Sequence, residues 1–442
     1  MKQFRHLLAL SLLACAVLLS GCQDNEPVNP GAETTSAPAA TEAEETATES
    51  LPSEAAPGTI EETSAGTEAT ETVTEAAETT ETETEDLEEN QMDFARYAQD
   101  AQDALWSNQW NENKGYFSRD YPPMNVDHGY DYWWFAHSID VLVDAYERTG
   151  DELYLERADK VMRGVYANNG NSLINNFFDD MDWMGLALLR LYDHTQNEEY
   201  LDHVRVLFEE IVSAWSEEGG GGLGWQKEKR HFKNTPTNAP AVILASRLYE
   251  RTEEEQFQEW AHKIFDWMNE TLRDPNTGYI YDGINDNQDN QLTRNAYTYN
   301  HGIYMGAAAE LYRMTGDEQY LNWAEETYQN AHRVYLTPSN ILKETGEGDG
   351  GLFKGILVRY ITLYYYTLPE ERTDIKDFIL HNAESVANRS INDAGMISDN
   401  WSGPSKDQQH LSSHLSGVKL FEAAAKLQNE GHADNQYESY YH

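Results

Sequence analysis

The chain has 442 residues, 77 of them acidic and 31 basic, for a formal charge of −46 at neutral pH. That surplus repels phosphate backbones and anionic membrane surfaces, which argues against nucleic acid as a partner and leaves neutral ligands open. The charge is unevenly spread: Gln23–Asn90 holds 20 acidic residues and no Lys, Arg or aromatic side chain, whereas 50 of the 51 aromatics fall in Gln91–His442.

Lys2 and Arg5 precede an apolar run, Leu7–Leu19, of signal-peptide length. It ends in Leu19-Ser20-Gly21-Cys22, which resembles a bacterial lipobox and implies lipidation of the Cys22 thiol with cleavage before it. The mature chain would then carry one cysteine, itself modified, which removes disulfides, Cys-based zinc sites and a Cys nucleophile. The Thr/Glu/Ala-rich stretch 23–90 cannot bury enough apolar surface to offset its ordering entropy, so it reads as a disordered tether. We therefore expect a domain at 91–442, lipid-anchored on the extracellular face of a bacterial membrane. The long tether favours a Gram-positive surface.

The folded part repeats itself. Tyr146, Tyr192, Tyr249 and Tyr312 each end an apolar, helix-period segment and are followed by a short turn and acidic residues. A degenerate fifth copy covers Tyr364–Phe378. Extending outward by the 3.6 period predicts twelve helices, at 92–107, 131–148, 152–167, 183–195, 198–214, 236–251, 255–271, 299–315, 318–334, 350–366, 371–390 and 411–428. Short connections carry the repeated turn and alternate with six long loops. This describes an all-α (α/α)6 toroid of six helical hairpins.

The long loops gather the candidate ligand contacts: Trp110, Tyr116, Phe117 and Tyr130; then Gly219–Gly222, Trp225, Lys233 and Asn234; then Tyr279, Tyr281 and Asp282; then Asn400 and Trp401. Aromatic rings beside amides and carboxylates suit sugars, with about half of the rings expected to cap the core. His410 and His414 have a zinc-like spacing but lack a third ligand, and Asn285–Asn290 reads as a solvated loop, so no metal site is expected.

In Asn175-Asn-Phe-Phe-Asp-Asp-Met-Asp-Trp183, adjacent carboxylates Asp179 and Asp180 stand just before a predicted helix. Neighbours on a continuous helix point about 100° apart, so a loop-to-helix junction is expected to aim both into one cleft. Two carboxylates about 5–5.5 Å apart make a retaining-glycosidase pair. The bland alternative is that one of them, or Asp182, caps the helix.

Phe177–Leu188 resembles the paired-aspartate motif of glycoside hydrolase family 76, the bacterial endo-α-1,6-mannanases. Tyr132–Val141, Lys233–Ala239, Tyr297–Tyr304 and Gly350–Arg359 match in order. The resemblance implies an (α/α)6 fold and retaining cleavage of α-1,6-mannan, without metal or organic cofactor. Asp179 would be the nucleophile and Asp180 the acid/base. Asn175, Asn234, Trp133, Trp183, Trp225 and Tyr299 are the candidates for holding sugar. Departures from the family pattern are Met184 in place of a second Trp, His301 in place of Gln, and Glu347–Gly350 in place of a more acidic stretch. A monomer is expected. Transglycosylation by the same aspartates and non-catalytic glycan capture are the alternatives.

Overall fold

The computed structural model describes residues 92–124, 130–295 and 297–429. Cys22, the acidic tether and residues 430–442 lie outside them. The described residues form twelve α-helices: α1 Phe94–Gln109, α2 Tyr132–Thr149, α3 Leu153–Asn168, α4 Phe178–Thr195, α5 Glu198–Val212 and α6 Thr235–Thr252. The rest are α7 Glu255–Thr271, α8 Thr298–Thr315, α9 Glu318–Tyr335, α10 Gly350–Thr367, α11 Thr373–Arg389 and α12 Leu411–Asn429. All twelve sit where the periodicity put them, with one consequential exception. Helix α4 begins at Phe178 rather than 183, so Asp179 and Asp180 occupy its first turn instead of a preceding loop.

The even-numbered helices pack in a closed inner ring, α2–α4–α6–α8–α10–α12 and back to α2. Helices α3, α5, α7 and α9 lie outside their preceding partners, α11 packs against α12 and more lightly against α10, and α1 lies against α12, which gives the (α/α)6 toroid. Sequence dictates the layer. Outer α7 buries one stripe (Phe257, Ala261, Ile264, Phe265, Met268), whereas inner α10 is buried on all sides from Ile356 to Thr367. Close approach of inner helices uses glycine pairs one turn apart. A Cβ on Gly302 or Gly306 of α8 would fall within 2.8 Å of Leu357 or closer still to Tyr360 on α10.

The four repeated turns share one construction. Each helix ends at a residue in the left-handed region: Gly150 (φ 69°), Gln196 (φ 53°), Glu253 (φ 56°) and Gly316 (φ 72°). Its N–H donates to the carbonyl of the repeat tyrosine, Tyr146, Tyr192, Tyr249 or Tyr312, at 2.7–2.8 Å. The preceding threonine donates its hydroxyl one turn back and accepts from the N–H two residues ahead, for example Thr149 to Ala145 O (2.7 Å) and from Asp151 N (3.2 Å). Thr195, Thr252 and Thr315 do the same. The fifth copy keeps the threonine bond, Thr367 to Leu363 O at 2.8 Å, but Leu368 is extended (φ −70°) ahead of Pro369. Because non-glycine residues at such positions carry strain, Gln196→Gly and Glu253→Gly should each stabilise the domain by up to ~1 kcal/mol. Urea unfolding midpoints would show it.

Beneath the turns, the inner helices are tied by a buried ionic core. Asp140 of α2 meets Arg190 of α4 (2.5 Å), Arg359 of α10 (2.9 Å) and Lys419 of α12. Arg190 also pairs with Asp144 (2.8 Å) and Glu147 (2.8 Å).

The long loops carry short strands that the sequence did not announce: β1 Trp110–Asn111, β2 Tyr116–Phe117, β3 Asp120–Tyr121, β4 Gly224–Gln226, β5 Lys229–Asn234, β6 Gly283–Ile284, β7 Leu292–Thr293 and β8 Gln409–His410. Strands β4-β5-β6-β7 form one antiparallel sheet. No described helix is long and apolar enough to cross a membrane.

Candidate active site

All inner helices start on the long-loop face, and the N-terminal ends of five of them converge on a cavity of about 790 Å³. Tyr130–Trp133, Phe177–Asp180, Asn234, Tyr297 with Tyr299, and Asp349–Phe353 reach it from five successive inner helix starts. The sheet adds Trp225, Lys229 and Phe232. At a helix tip the ligand space lies beyond the helix end rather than beside it. Two successive residues can then border one cavity although they differ in azimuth, as Asp179 and Asp180 do from within α4.

Each carboxylate has its own donors. Asp179 Oδ2 accepts from Trp225 Nε1 (3.1 Å) and its Oδ1 from the Asp180 N–H (3.1 Å). Asp180 Oδ2 accepts from Asn175 Nδ2 (2.5 Å). Trp225 and Asn175, expected as sugar contacts, are thus tied to the carboxylate pair. Burial pushes Asp179 up to about 7 against the pull of the Trp225 indole and backbone N–H groups. Burial and then the Asp179 charge push Asp180 well above the carboxylate range, with only Asn175 opposing among side chains. Charge therefore settles on Asp179 and the proton on Asp180. The α4 N-terminus, where Phe177 provides no side-chain cap, favours that charge. Asp182 caps nothing: it is fully buried with neither oxygen hydrogen-bonded among the described residues, and burial holds it neutral.

The remaining candidates divide. Trp133 lines the cavity near Phe353, with ring centroids 6.4 Å apart, and Tyr299 stacks flat on Phe353 at 4.0 Å. Trp225 faces Phe177 (5.3 Å) and Phe232 (5.9 Å) from the sheet side. Trp183 is nearly buried, resting on His137 at 4.6 Å, and borders both this cavity and a small one below it. Asn234 lines the cavity, but its Oδ1 caps α6 through Thr237 N (3.3 Å) and Thr237 Oγ1 (2.7 Å). Only its amide nitrogen is left for a sugar.

Several loop candidates prove structural. Phe117 and Trp401 are core residues, Trp110 stacks on Trp106 at 4.4 Å, and Lys233 is buried against Ser216 Oγ (2.7 Å) and Gly222 O (2.9 Å). His414 bonds the backbone of Ile397 and Ala101, and Asn285 braces its own turn through Asn290 N. His410 pairs with Asp120 and Glu347. No group of three His, Cys, Asp or Glu suited to a metal occurs among the described residues. Two departures from the family pattern also fall outside the cavity: Met184 is core, and His301 is buried between Asn330 (3.2 Å) and Tyr335 (3.2 Å).

Sequence reasoning missed Asp131 and Asp349. Asp131 is held by Arg119 (3.2 Å), and Asp349 accepts from Trp134 Nε1 (3.1 Å). Each immediately precedes an inner helix without capping it by side chain. Burial, with Asp349 and Asp120 nearby, raises Asp131 to about 6 despite Arg119. The available signal was positional, since both stand at an inner helix start, as the Asp179–Asp180 pair does.

The toroid and its carboxylate pair among aromatic walls define an (α/α)6 protein with a glycosidase-type site. The chain belongs to glycosyl hydrolase family 76, whose model matches residues 75–436. The α-1,6-mannanase GH76A from Salegentibacter sp. HEL1_6 is 39% identical, with a TM-score of 0.72 over 76% of this chain and all of that one. An inactive variant of the same mannanase, with two consecutive aspartates changed to asparagine, was solved with α-1,6-mannotriose (38% identity, TM-score 0.72, the same coverage). Among curated relatives, a mannan endo-1,6-alpha-mannosidase from Candida glabrata is 27% identical over 283 residues, 58% of this chain. The match spans 60% of that relative's length.

Proposed function

We propose that the chain is a retaining, endo-acting glycoside hydrolase that cleaves α-1,6-mannosidic bonds in mannan, anchored outside a bacterial membrane by lipid on Cys22. The observation that carries the catalytic reading is the Asp179–Asp180 pair, differently hydrogen-bonded at one helix tip inside an aromatic cavity. Its support from relatives is the mannanase whose double-aspartate variant is inactive. The lipobox sequence supports the anchor.

In the first step the Asp179 carboxylate attacks the anomeric carbon. The glycosidic C–O bond breaks, and the Asp180 proton passes to the leaving oxygen. In the second, Asp180 takes a proton from water, whose oxygen displaces the Asp179 ester and regenerates both groups. The stacked Tyr299–Phe353 pair and Trp133 offer ring faces to the sugars. Seven lining carboxylates against the one lysine, Lys229, favour an uncharged polymer over a phosphorylated one.

The test is digestion of debranched, linear α-1,6-mannan by the purified chain, following reducing ends and product size. Short manno-oligosaccharides are expected; a polymer that is bound but never shortened would overturn the hydrolase reading.

Trp225→Phe gives a separate check on the nucleophile. The indole N–H stabilises the Asp179 anion, so its loss raises the Asp179 pKa. The active form is the carboxylate, and the acidic limb of kcat/KM should therefore move to higher pH. An unmoved limb would detach Trp225 from the nucleophile.

A further inference from the structure

The loops 335–349 and 391–410 enclose a second cavity of about 290 Å³, which shares Glu347 as a partition with the main one. Its back wall is braced. Asp399 accepts from the Thr345 and Gly346 N–H groups (2.9 and 2.8 Å) and the Thr345 hydroxyl (3.1 Å), and pairs with fully buried Lys354 (2.9 Å). The partition is light: Glu347 is 54% exposed and held by Lys406 (2.8 Å) and His410 Nε2 (3.4 Å). An exposed ion pair of this kind is weak, so sugar hydroxyls can replace it.

The lining differs in kind from that of the main cavity. Apart from the His410 imidazole it contains no ring, so nothing in it stacks successive sugars of a chain. It offers hydrogen-bonding groups instead. Glu344 is exposed, and Asn400, whose Oδ1 is taken by Ser402 N and Oγ (both 3.1 Å), has its amide nitrogen without a partner among the described residues. Lys406 lines the same cavity. A space of this size, polar and opening beside the backbone cleft, has room for one sugar ring projecting sideways.

We propose that this cavity is a branch pocket, taking a single hexose substituent on the mannan backbone while the backbone itself lies in the main cavity. The assignment rests on the α-1,6-mannan reading above. Glu344, the Asn400 amide and Lys406 meet the hydroxyls of the branch sugar, and Glu347 separates it from the cleavage site.

The experiment compares the full chain on a linear α-1,6-manno-oligosaccharide and on the same oligosaccharide bearing one α-linked mannosyl branch. The wild type should cleave both with similar kcat/KM. Glu344→Trp fills the pocket from an exposed position, so it should lower kcat/KM for the branched substrate by roughly tenfold or more and leave the linear one unchanged. Glu344→Ala, which keeps the space but removes the carboxylate, should give a smaller loss in the same direction. A wild type that cleaves the linear substrate but refuses the branched one, or a Glu344→Trp effect equal on both, would overturn the branch pocket alone. Failure to cleave even the linear substrate would remove the mannanase reading, and the pocket with it.

Discussion

Asp179→Asn and Asp180→Asn should each lower turnover of linear α-1,6-mannan by at least roughly 10³-fold, while the folded domain stays intact or gains stability. The loss follows from chemistry: an amide at Asp179 cannot form the glycosyl ester, and one at Asp180 cannot deliver a proton to the leaving oxygen. The stability follows from electrostatics. Burial holds both pKa values up, with the Asp179 charge adding to the effect on Asp180, so an amide removes the cost of the ionised Asp179 and stands in for an Asp180 that is already neutral. The two variants should also part company. With an aryl glycoside of α-1,6-mannobiose bearing a good leaving group, protonation of that group is no longer needed. Asp180→Asn should then show a burst of released aryl alcohol, and Asp179→Asn none. A burst from Asp179→Asn would exchange the two roles.

The largest effect on stability is expected from Arg190→Met. Arg190 is buried and faces Asp140 (2.5 Å), Asp144 (2.8 Å) and Glu147 (2.8 Å), while Arg359 and Lys419 share two of these carboxylates. Replacing arginine by methionine keeps the packing of the apolar stem and strands negative charge in the ring interior. Breaking one partner of a buried ionic group costs roughly 3–5 kcal/mol. The urea midpoint should fall accordingly, and the effect should shrink at low pH, where the stranded carboxylates are protonated. A loss under about 1 kcal/mol would mean that Arg359 and Lys419, with His194 on Glu147 (3.0 Å), satisfy the three acids.

The helices were legible because inner and outer layers both write their burial at a 3.6 period, and because Tyr-x-x-Thr marks four of the turns chemically. The start of α4 was not. Asp-Asp-Met-Asp reads as a polar loop, yet acidic residues are favourable at a helix N-terminus, and the helix simply continues back to Phe178. The strands escaped because most are two residues long, too short for alternation to register. In the site, the aspartate pair was visible as a local motif. Asp131 and Asp349 were not, since what unites them with it is the convergence of helix starts from distant hairpins. Asn175 and Trp225 were found as candidates for holding sugar, but their bonds to the two carboxylates were not, because a side chain that serves a carboxylate and one that serves a sugar look alike in sequence.

The toroid is closed by its two ends. The α1 residue Phe94 donates to Gln428 Oε1 (3.0 Å), Gln428 Nε2 returns to Met92 O (2.6 Å), and Gln102 of α1 bonds Glu422 of α12 (3.0 Å). A chain emerging from its N-terminus therefore builds five hairpins with nothing to seal them. Asp140 must wait almost 280 residues for Lys419, and the apolar flanks of α2 and α10 stay open until α12 fills the gap between them. Such an assembly cannot mature piecemeal during synthesis, because its last helix is the keystone. A chain cut short before Leu411 should be cleared by proteases rather than persist as a smaller domain.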